Sequence, residues 1–345
     1  MMDFKQNSTY TYYQPNQNNQ KATSVITALL LVGLTILAGF TIYTGYKKIA
    51  HAKQQEVLKG TAETPTDKYK DTLKTQFLPD KEWEMFEKTW LAGQPETISE
   101  AALIVNIGDG EVLYNKNSQE RLPIASLTKI MTAVVVMEHT SLTDLTTISA
   151  KAASTGENSM GLTAGETYTI EELLYGLILN SGNDAAIALA EASAGDVETF
   201  VQWMNTKANE LGLKNSYFAD PSGLNDSTYS TAQDLARLTR YALKFKELRK
   251  IAQTVEYDIA ATDDHKYVPL YNQTNLLTTY PGVKGFKTGY TEEAGLCLVT
   301  YAENDGVELV GVVLNSVDRK GDMVLMLDHA FNRYGISVDH QFKFE

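Results

Sequence analysis

The chain has 345 residues, 43% of them hydrophobic and 21% charged, with a formal net charge of -13. That is the composition of a folded protein of one large domain or two ordinary ones, and its acidity argues against a nucleic-acid partner, which would be held by Lys and Arg on phosphates. One cysteine, Cys297, excludes an internal disulfide, and five scattered histidines without a His-x-x-x-His pair leave no zinc-hydrolase signature, so no metal and no cofactor are expected.

The first 23 residues, rich in Asn, Gln, Tyr and Ser without apolar periodicity, read as a flexible polar tail, because such a composition cannot offset the entropy of ordering. Residues 22–46 carry no charge, and the apolar run meets the roughly 20 residues that a bilayer-spanning helix needs. A transmembrane helix is therefore expected over 24–46. A cleaved signal peptide is the rival reading, since Ala50-His51-Ala52 has the form of a cleavage site, but Lys47 and Lys48 interrupt the approach to it. Lys47, Lys48, Lys53 and Lys59 outnumber the lysines before the span. The positive-inside rule alone would thus place the following domain inside, although large domains translocate despite such bias.

Residues 47–95 read as a juxtamembrane linker, punctuated by Pro65, that ends in a short helix. Trp83, Phe86 and Trp90 recur there at helical spacing, with Asp80 as its cap. A β-hairpin follows, Ala101 to Ile107 and Glu111 to Asn115 about Gly108-Asp109-Gly110. Helices then dominate. The clearest opens at Thr169, where Thr169 and Glu172 have capping-box spacing and Ile170, Leu173, Leu174, Leu177 and Ile178 form one apolar face. Another helix runs from Asp184 to Ala192. Near the end, Gly295 to Ala302 and Glu308 to Leu314 flank Asn304-Asp305-Gly306, a strong hairpin signal. Cys297 lies in the first of these runs and reads as a buried strand residue. Strands at both ends with helices between them predict an α+β domain whose terminal strands share one antiparallel sheet flanked by helices.

Three short elements could carry chemistry. In Ser126-Leu127-Thr128-Lys129, at the start of a helical pattern, a spacing of three puts the hydroxyl and the amine on one face. The amine can take the hydroxyl proton if burial or nearby cations depress its pKa. In Ser181-Gly182-Asn183, at the break between two helices, Ser181 could relay a proton and Asn183 bind a peptide group. In Lys287-Thr288-Gly289, just before the run Leu296 to Ala302, the missing side chain of Gly289 would let a substrate backbone lie alongside. Each tripeptide also has a plain structural reading, as an exposed helix face or a turn.

Their order changes the weighing. Ser-x-x-Lys, Ser-x-Asn and Lys-Thr-Gly in succession form the motif set of penicillin-binding proteins and class A β-lactamases. The surrounding text, such as Leu122-Pro-Ile-Ala-Ser-Leu-Thr-Lys, Leu179-Asn-Ser-Gly-Asn-Asp-Ala and Gly285-Phe-Lys-Thr-Gly-Tyr-Thr, resembles the low-molecular-mass serine D-Ala-D-Ala carboxypeptidases of peptidase family S11. The resemblance covers about Pro95 to Gly335. It implies a transpeptidase fold of the β-lactamase and penicillin-binding-protein type, with a catalytic domain over 96–340 that acts on peptidoglycan stem peptides and is inhibited by β-lactams.

By the same resemblance Ser126 is the acylated nucleophile, Lys129 its general base and Ser181 the proton shuttle. Asn183 is a substrate ligand, Lys287 tunes the site electrostatically, Thr288 binds the terminal carboxylate, and the N–H groups of Ser126 and Tyr290 form the oxyanion hole. Arg319 is a further candidate for the carboxylate. Many relatives continue into a further β-domain and an amphipathic C-terminal helix, whereas this sequence stops at Glu345, so the expected anchor is N-terminal and the expected place is the outer face of the cell membrane. Two other readings stay open, a β-lactamase and a non-catalytic penicillin-binding sensor. The Glu-x-x-Leu-Asn loop of β-lactamases finds its nearest approach at Glu210-Leu-Gly-Leu, where Glu210 reads as a helix-end residue.

Overall fold

A computed structural model of the chain describes residues 83–87, 93–340 and 342. The expected tail over 1–23, the expected membrane helix over 24–46 and most of the linker lie outside the described residues, which all belong to the unit Thr66–Glu345.

Six strands form the central sheet: β1 (Phe86–Glu87), β2 (Ala101–Asn106), β3 (Glu111–Lys116), β4 (Val283–Thr291), β5 (Gly295–Asn304) and β6 (Val307–Ser316), in the spatial order β1-β3-β2-β6-β5-β4. The N- and C-terminal strands meet where β2 pairs with β6, Val105 opposite Val310, as the sequence predicts. All pairings are antiparallel except that of β1 with β3, so the sheet is mixed. The β5–β6 turn has positive φ at Asp305 and Gly306, the twist that a tight hairpin requires.

Alternation along the strands sends side chains into two cores. Leu103, Val105, Val310 and Val312 join a large cluster with most of the helices. Ala102, Ile104, Leu309 and Val313 pack against Met323, Leu327 and Phe331 from the C-terminal helix Arg319–Arg333. Both sheet faces are thus covered, which explains why the strands read as near-continuous apolar runs rather than alternating ones.

On the larger face lie α1 (Lys129–His139), α2 (Ile170–Ile178), α3 (Asn183–Ala194), α4 (Val197–Glu210) and α5 (Ala232–Ala242). Arg319–Arg333 is α7, after α6 (Lys246–Gln253). The capping box of α2 is present in both halves, Thr169 Oγ1 accepting from Glu172 N–H and Glu172 Oε2 from Thr169 N–H. α1 is buried from Lys129 to Val136, which makes it the central post of the domain.

Residues 83–87 depart from expectation. Trp83 and Phe86 belong to an extended segment, not to a helix, and Phe86 N–H donates to Gly110 O at 3.0 Å. Trp83 is buried with the guanidinium groups of Arg240 and Arg237 over its ring, 4.5 and 5.6 Å from the centroid. Pairing with the β3 edge and these cation–π contacts outweigh a helical spacing that three aromatics alone suggested. Trp90 and Asp80 lie outside the described residues.

Candidate active site

Ser126 stands in a one-turn 3-10 helix, Ala125–Thr128, that runs straight into α1. The turn is set by Ala125 at φ +46°, a left-handed conformation that costs a residue with a Cβ free energy and tends to persist where function needs it. Thr128 Oγ1 donates to Ala125 O at 2.7 Å and fixes that geometry.

Lys129 lies on the same helical face. Its ammonium has three donors and uses each of them: on Ser126 Oγ at 2.8 Å, Asn183 Oδ1 at 2.7 Å and the Ser222 carbonyl at 2.7 Å. The side chain is fully buried. Burial pulls its pKa down to about 7, against the charges of Asp220, Asp184 and Glu157, which favour the ammonium. Near neutral pH a large fraction of the amine is therefore free to accept the Ser126 proton.

Ser181, between α2 and α3, has φ +57° and a buried hydroxyl without a hydrogen-bond partner among the described residues. Asn183 opens α3, but its amide is largely engaged. Oδ1 holds Lys129, and Nδ2 donates to Gly156 O at 3.1 Å, leaving one N–H for a substrate. The expected substrate ligand thus first holds the Lys129 amine. Beside it, buried Asp184 accepts from the N–H groups of Met160, Gly161 and Leu162, each at 3.0 Å, and so fixes the loop over Asn183.

Lys287, Thr288, Gly289 and Tyr290 all lie within β4, at the edge of the sheet. The tripeptide is therefore part of a strand of its own, not the approach to the next one. Lys287 is buried, with Nζ donating to Thr288 O at 3.1 Å, and burial together with the charges of Lys129 and Arg319 drives its pKa well down. Thr288 is buried and Tyr290 is 59% exposed.

Gly289 has a role the sequence reading missed. A Cβ there would lie 3.0 Å from Ile124 O and 3.1 Å from Ser126 N. The absent side chain makes room for the protein's own Ser126 turn, in addition to any substrate. Arg319, first residue of α7, reaches the same strand and donates Nη1 to Gly289 O at 2.7 Å and to Cys297 O at 3.2 Å. The structure thus joins Ser126, Lys129, Asn183, Gly289 and Arg319 by contacts, with Lys287, Thr288 and Tyr290 on the same strand as Gly289 and Ser181 two residues before Asn183.

Other expectations resolve plainly. Cys297 is buried, and burial pushes its thiol up to about 11, as fits a core residue. Glu210 ends α4, exposed and paired with Lys207 at 2.6 Å. Sequence reasoning missed Asp184 and the loop around Ser222. Asp220-Pro-Ser-Gly carries no signal in the sequence, because its contribution to Lys129 is a backbone carbonyl, which no residue type announces.

The profile of the D-alanyl-D-alanine carboxypeptidase family, peptidase S11, matches residues 88–318. D-alanyl-D-alanine carboxypeptidase DacF of Bacillus subtilis (strain 168) is 40% identical over 245 residues, 68% of this chain and 63% of that protein, so the match spans less than two thirds of that relative's length. A D-alanyl-D-alanine carboxypeptidase of Streptomyces sp. (strain K15) is 34% identical over 258 residues, 69% of this chain and 89% of that one. The crystal structure of the Streptomyces K15 DD-transpeptidase superimposes with a TM-score of 0.67 at 32% identity, covering 70% of this chain and all of that one. The mixed sheet flanked by helices is accordingly the penicillin-binding-protein and β-lactamase type of fold. With Ser-x-x-Lys, Ser-x-Asn and Lys-Thr-Gly in contact around Ser126 and Lys129 inside the matched region, the chain belongs to the D-alanyl-D-alanine carboxypeptidase family, peptidase S11.

Proposed function

We propose that this protein is a serine D-Ala-D-Ala carboxypeptidase that removes the terminal D-Ala from peptidoglycan stem pentapeptides through an acyl-enzyme on Ser126, and that β-lactams inhibit it by acylating the same hydroxyl. The observation that carries this is the buried Lys129 amine 2.8 Å from Ser126 Oγ with its pKa near 7. As a neutral amine Lys129 takes the Ser126 proton, and Oγ adds to the carbonyl of the penultimate D-Ala. The N–H groups of Ser126 and Tyr290 receive the developing oxyanion, at a few kcal/mol per donor. Ser181 passes a proton to the departing amine of the terminal D-Ala, and water then cleaves the ester. The Arg319 guanidinium draws the terminal carboxylate toward Thr288, the buried Lys287 tunes the site electrostatically, and Asn183 offers its remaining N–H to the acyl side.

A fluorescent penicillin should label the wild-type chain covalently at Ser126 and leave Ser126→Ala unlabelled, while the wild type releases D-Ala from a pentapeptide mimic. An adduct mapped by mass spectrometry to another residue would refute the nucleophile assignment. Rapid penicillin turnover without D-Ala release would favour a β-lactamase, and penicillin labelling with neither would favour a sensor. The position of Glu210, at a helix end and paired with Lys207, speaks against the β-lactamase.

The charge-free run over 22–46 supports a single-pass anchor at the cell membrane, and Lys47 and Lys48 ahead of Ala50-His51-Ala52, with the long leading tail, support an uncleaved helix over 24–46. A cell-wall substrate supports an extracytoplasmic catalytic domain.

A further inference from the structure

The loop from Asp220 to Asp226 belongs to none of the three motifs, yet it touches the base, the nucleophile turn and the reactive strand. The Ser222 carbonyl accepts from Lys129 Nζ at 2.7 Å, and one turn further along α1 the Pro221 carbonyl accepts from Thr132 Oγ1 at 2.6 Å. Gly223, at φ +82°, lies so close to the Ser126 turn that a Cβ would sit 2.0 Å from Ala125 O and 2.7 Å from Thr128 Oγ1. At the far end, Asp226 Oδ1 accepts from Thr291 Oγ1 at 2.9 Å, on the last residue of β4.

One carboxylate shapes this loop. Asp220 Oδ1 accepts from Ser222 N–H and Ser222 Oγ–H, both at 2.6 Å, and from Gly223 N–H at 2.7 Å, while Oδ2 accepts from Asn225 N–H at 2.8 Å. Hydrogen bonds to a charged acceptor are the strong ones, and here they converge from three of the next five residues. We propose that Asp220 is a positioning residue for the reaction: by gathering these donors it aims the Ser222 carbonyl at the Lys129 amine and seats Gly223 against the Ser126 turn. This rests on Ser126 and Lys129 being nucleophile and base.

Asp220 also acts on Lys129 through its charge. The groups facing that amine are Asp220 from this loop, Asp184 from α3, Glu157 from the loop over Asn183, and Lys287 from β4 as a like charge. Among the acidic three Asp220 has the largest effect, and it favours the ammonium. Removing its charge must let Lys129 deprotonate at lower pH.

The test is the second-order rate of acylation of the full chain by a fluorescent penicillin between about pH 5 and 9, a window that brackets lysine's shifted titration, with thermal melting measured alongside. In Asp220→Asn the ascending limb should move to lower pH, and the plateau above it should fall roughly tenfold or more, the scale of a lost charged hydrogen bond. Asp220→Glu, which keeps the charge on a longer arm, should restore the limb but not the plateau. A merely structural role would lower the melting temperature and leave the limb in place, so a labelled wild type with an unmoved Asp220→Asn limb overturns this role alone. If Asp220→Asn does not fold, Ser222→Ala removes one donor and keeps the charge. It should lower the plateau several-fold without moving the limb, and an unchanged plateau overturns the proposal. A wild type that takes up no penicillin at any pH would overturn the nucleophile assignment and this role together.

Discussion

Lys129 is buried where its charge is costly, and the consequence is measurable in stability as well as in rate. Its pKa is about 7 in the fold and 10.5 in the free residue, so between those limits the unfolded chain binds more protons than the folded one, and stability rises with pH across the window. Below pH 7 the buried ammonium costs on the order of 5 kcal/mol, a cost relieved as pH climbs toward the free value. Lys129→Met should lack this dependence. Urea unfolding near pH 6 and near pH 9 should show the wild type gaining on the variant as pH rises, and parallel behaviour would mean that Lys129 is not a depressed amine. The same variant should lose acylation about as completely as Ser126→Ala, since nucleophile and base act as a unit. At this scale the sequence was legible through the order of its three motifs, since each tripeptide alone reads equally well as a helix face or a turn, and the structure places Ser126, Lys129 and Asn183 in contact. What stayed illegible is Ser222, which contributes a carbonyl, and the first task of Asn183, which turns inward to Lys129.

Among the elements, the contact between β4 and the Ser126 turn decides most. A methyl group at Gly289 would have to find room 3.0 Å from Ile124 O and 3.1 Å from Ser126 N, with the Ala125 Cβ at 3.3 Å. The turn must then give by a few tenths of an ångström, in a site where small misplacements of reacting groups carry large rate penalties. Gly289→Ala should therefore slow penicillin acylation about tenfold or more while costing roughly 1–2 kcal/mol of stability, the usual scale of mild overpacking. Acylation at the wild-type rate would show that the turn does not lean on this strand. Elements with a strong local period were legible: the β2–β3 and β5–β6 hairpins, and α2 with its capping box. β4 was not, because Val-Lys-Gly-Phe-Lys-Thr-Gly-Tyr offers two glycines and two lysines where a strand pattern wants β-branched residues. Its lysine at 287 is buried only because the tertiary site requires it. The segment at Trp83 failed the other way, with a helical spacing overruled by a sheet edge.

At the scale of the whole molecule, the fold class and the meeting of terminal strands followed from the order of elements along the chain. The expected anchor over 24–46 rests on sequence alone. If the catalytic domain lies outside the membrane, protease added to intact cells stripped of their wall should digest the region around Ser126, and full protection would refute that orientation. The flanking lysines argue for protection and the cell-wall substrate against it, so the experiment separates two physical claims. The sheet itself adds a constraint of another kind. At one margin β1 lies along Glu111 and Val112 and the Gln94 side chain accepts from Asn115 N–H. At the other, five strand spacings or about 24 Å away, β4 is the last strand and Ser126 stands beside it. A stray extended peptide that seeks main-chain partners finds the first berth already occupied by the chain itself. The second lies beside the Ser126 hydroxyl, so a guest strand that paired along β4 would be laid directly against the proposed nucleophile.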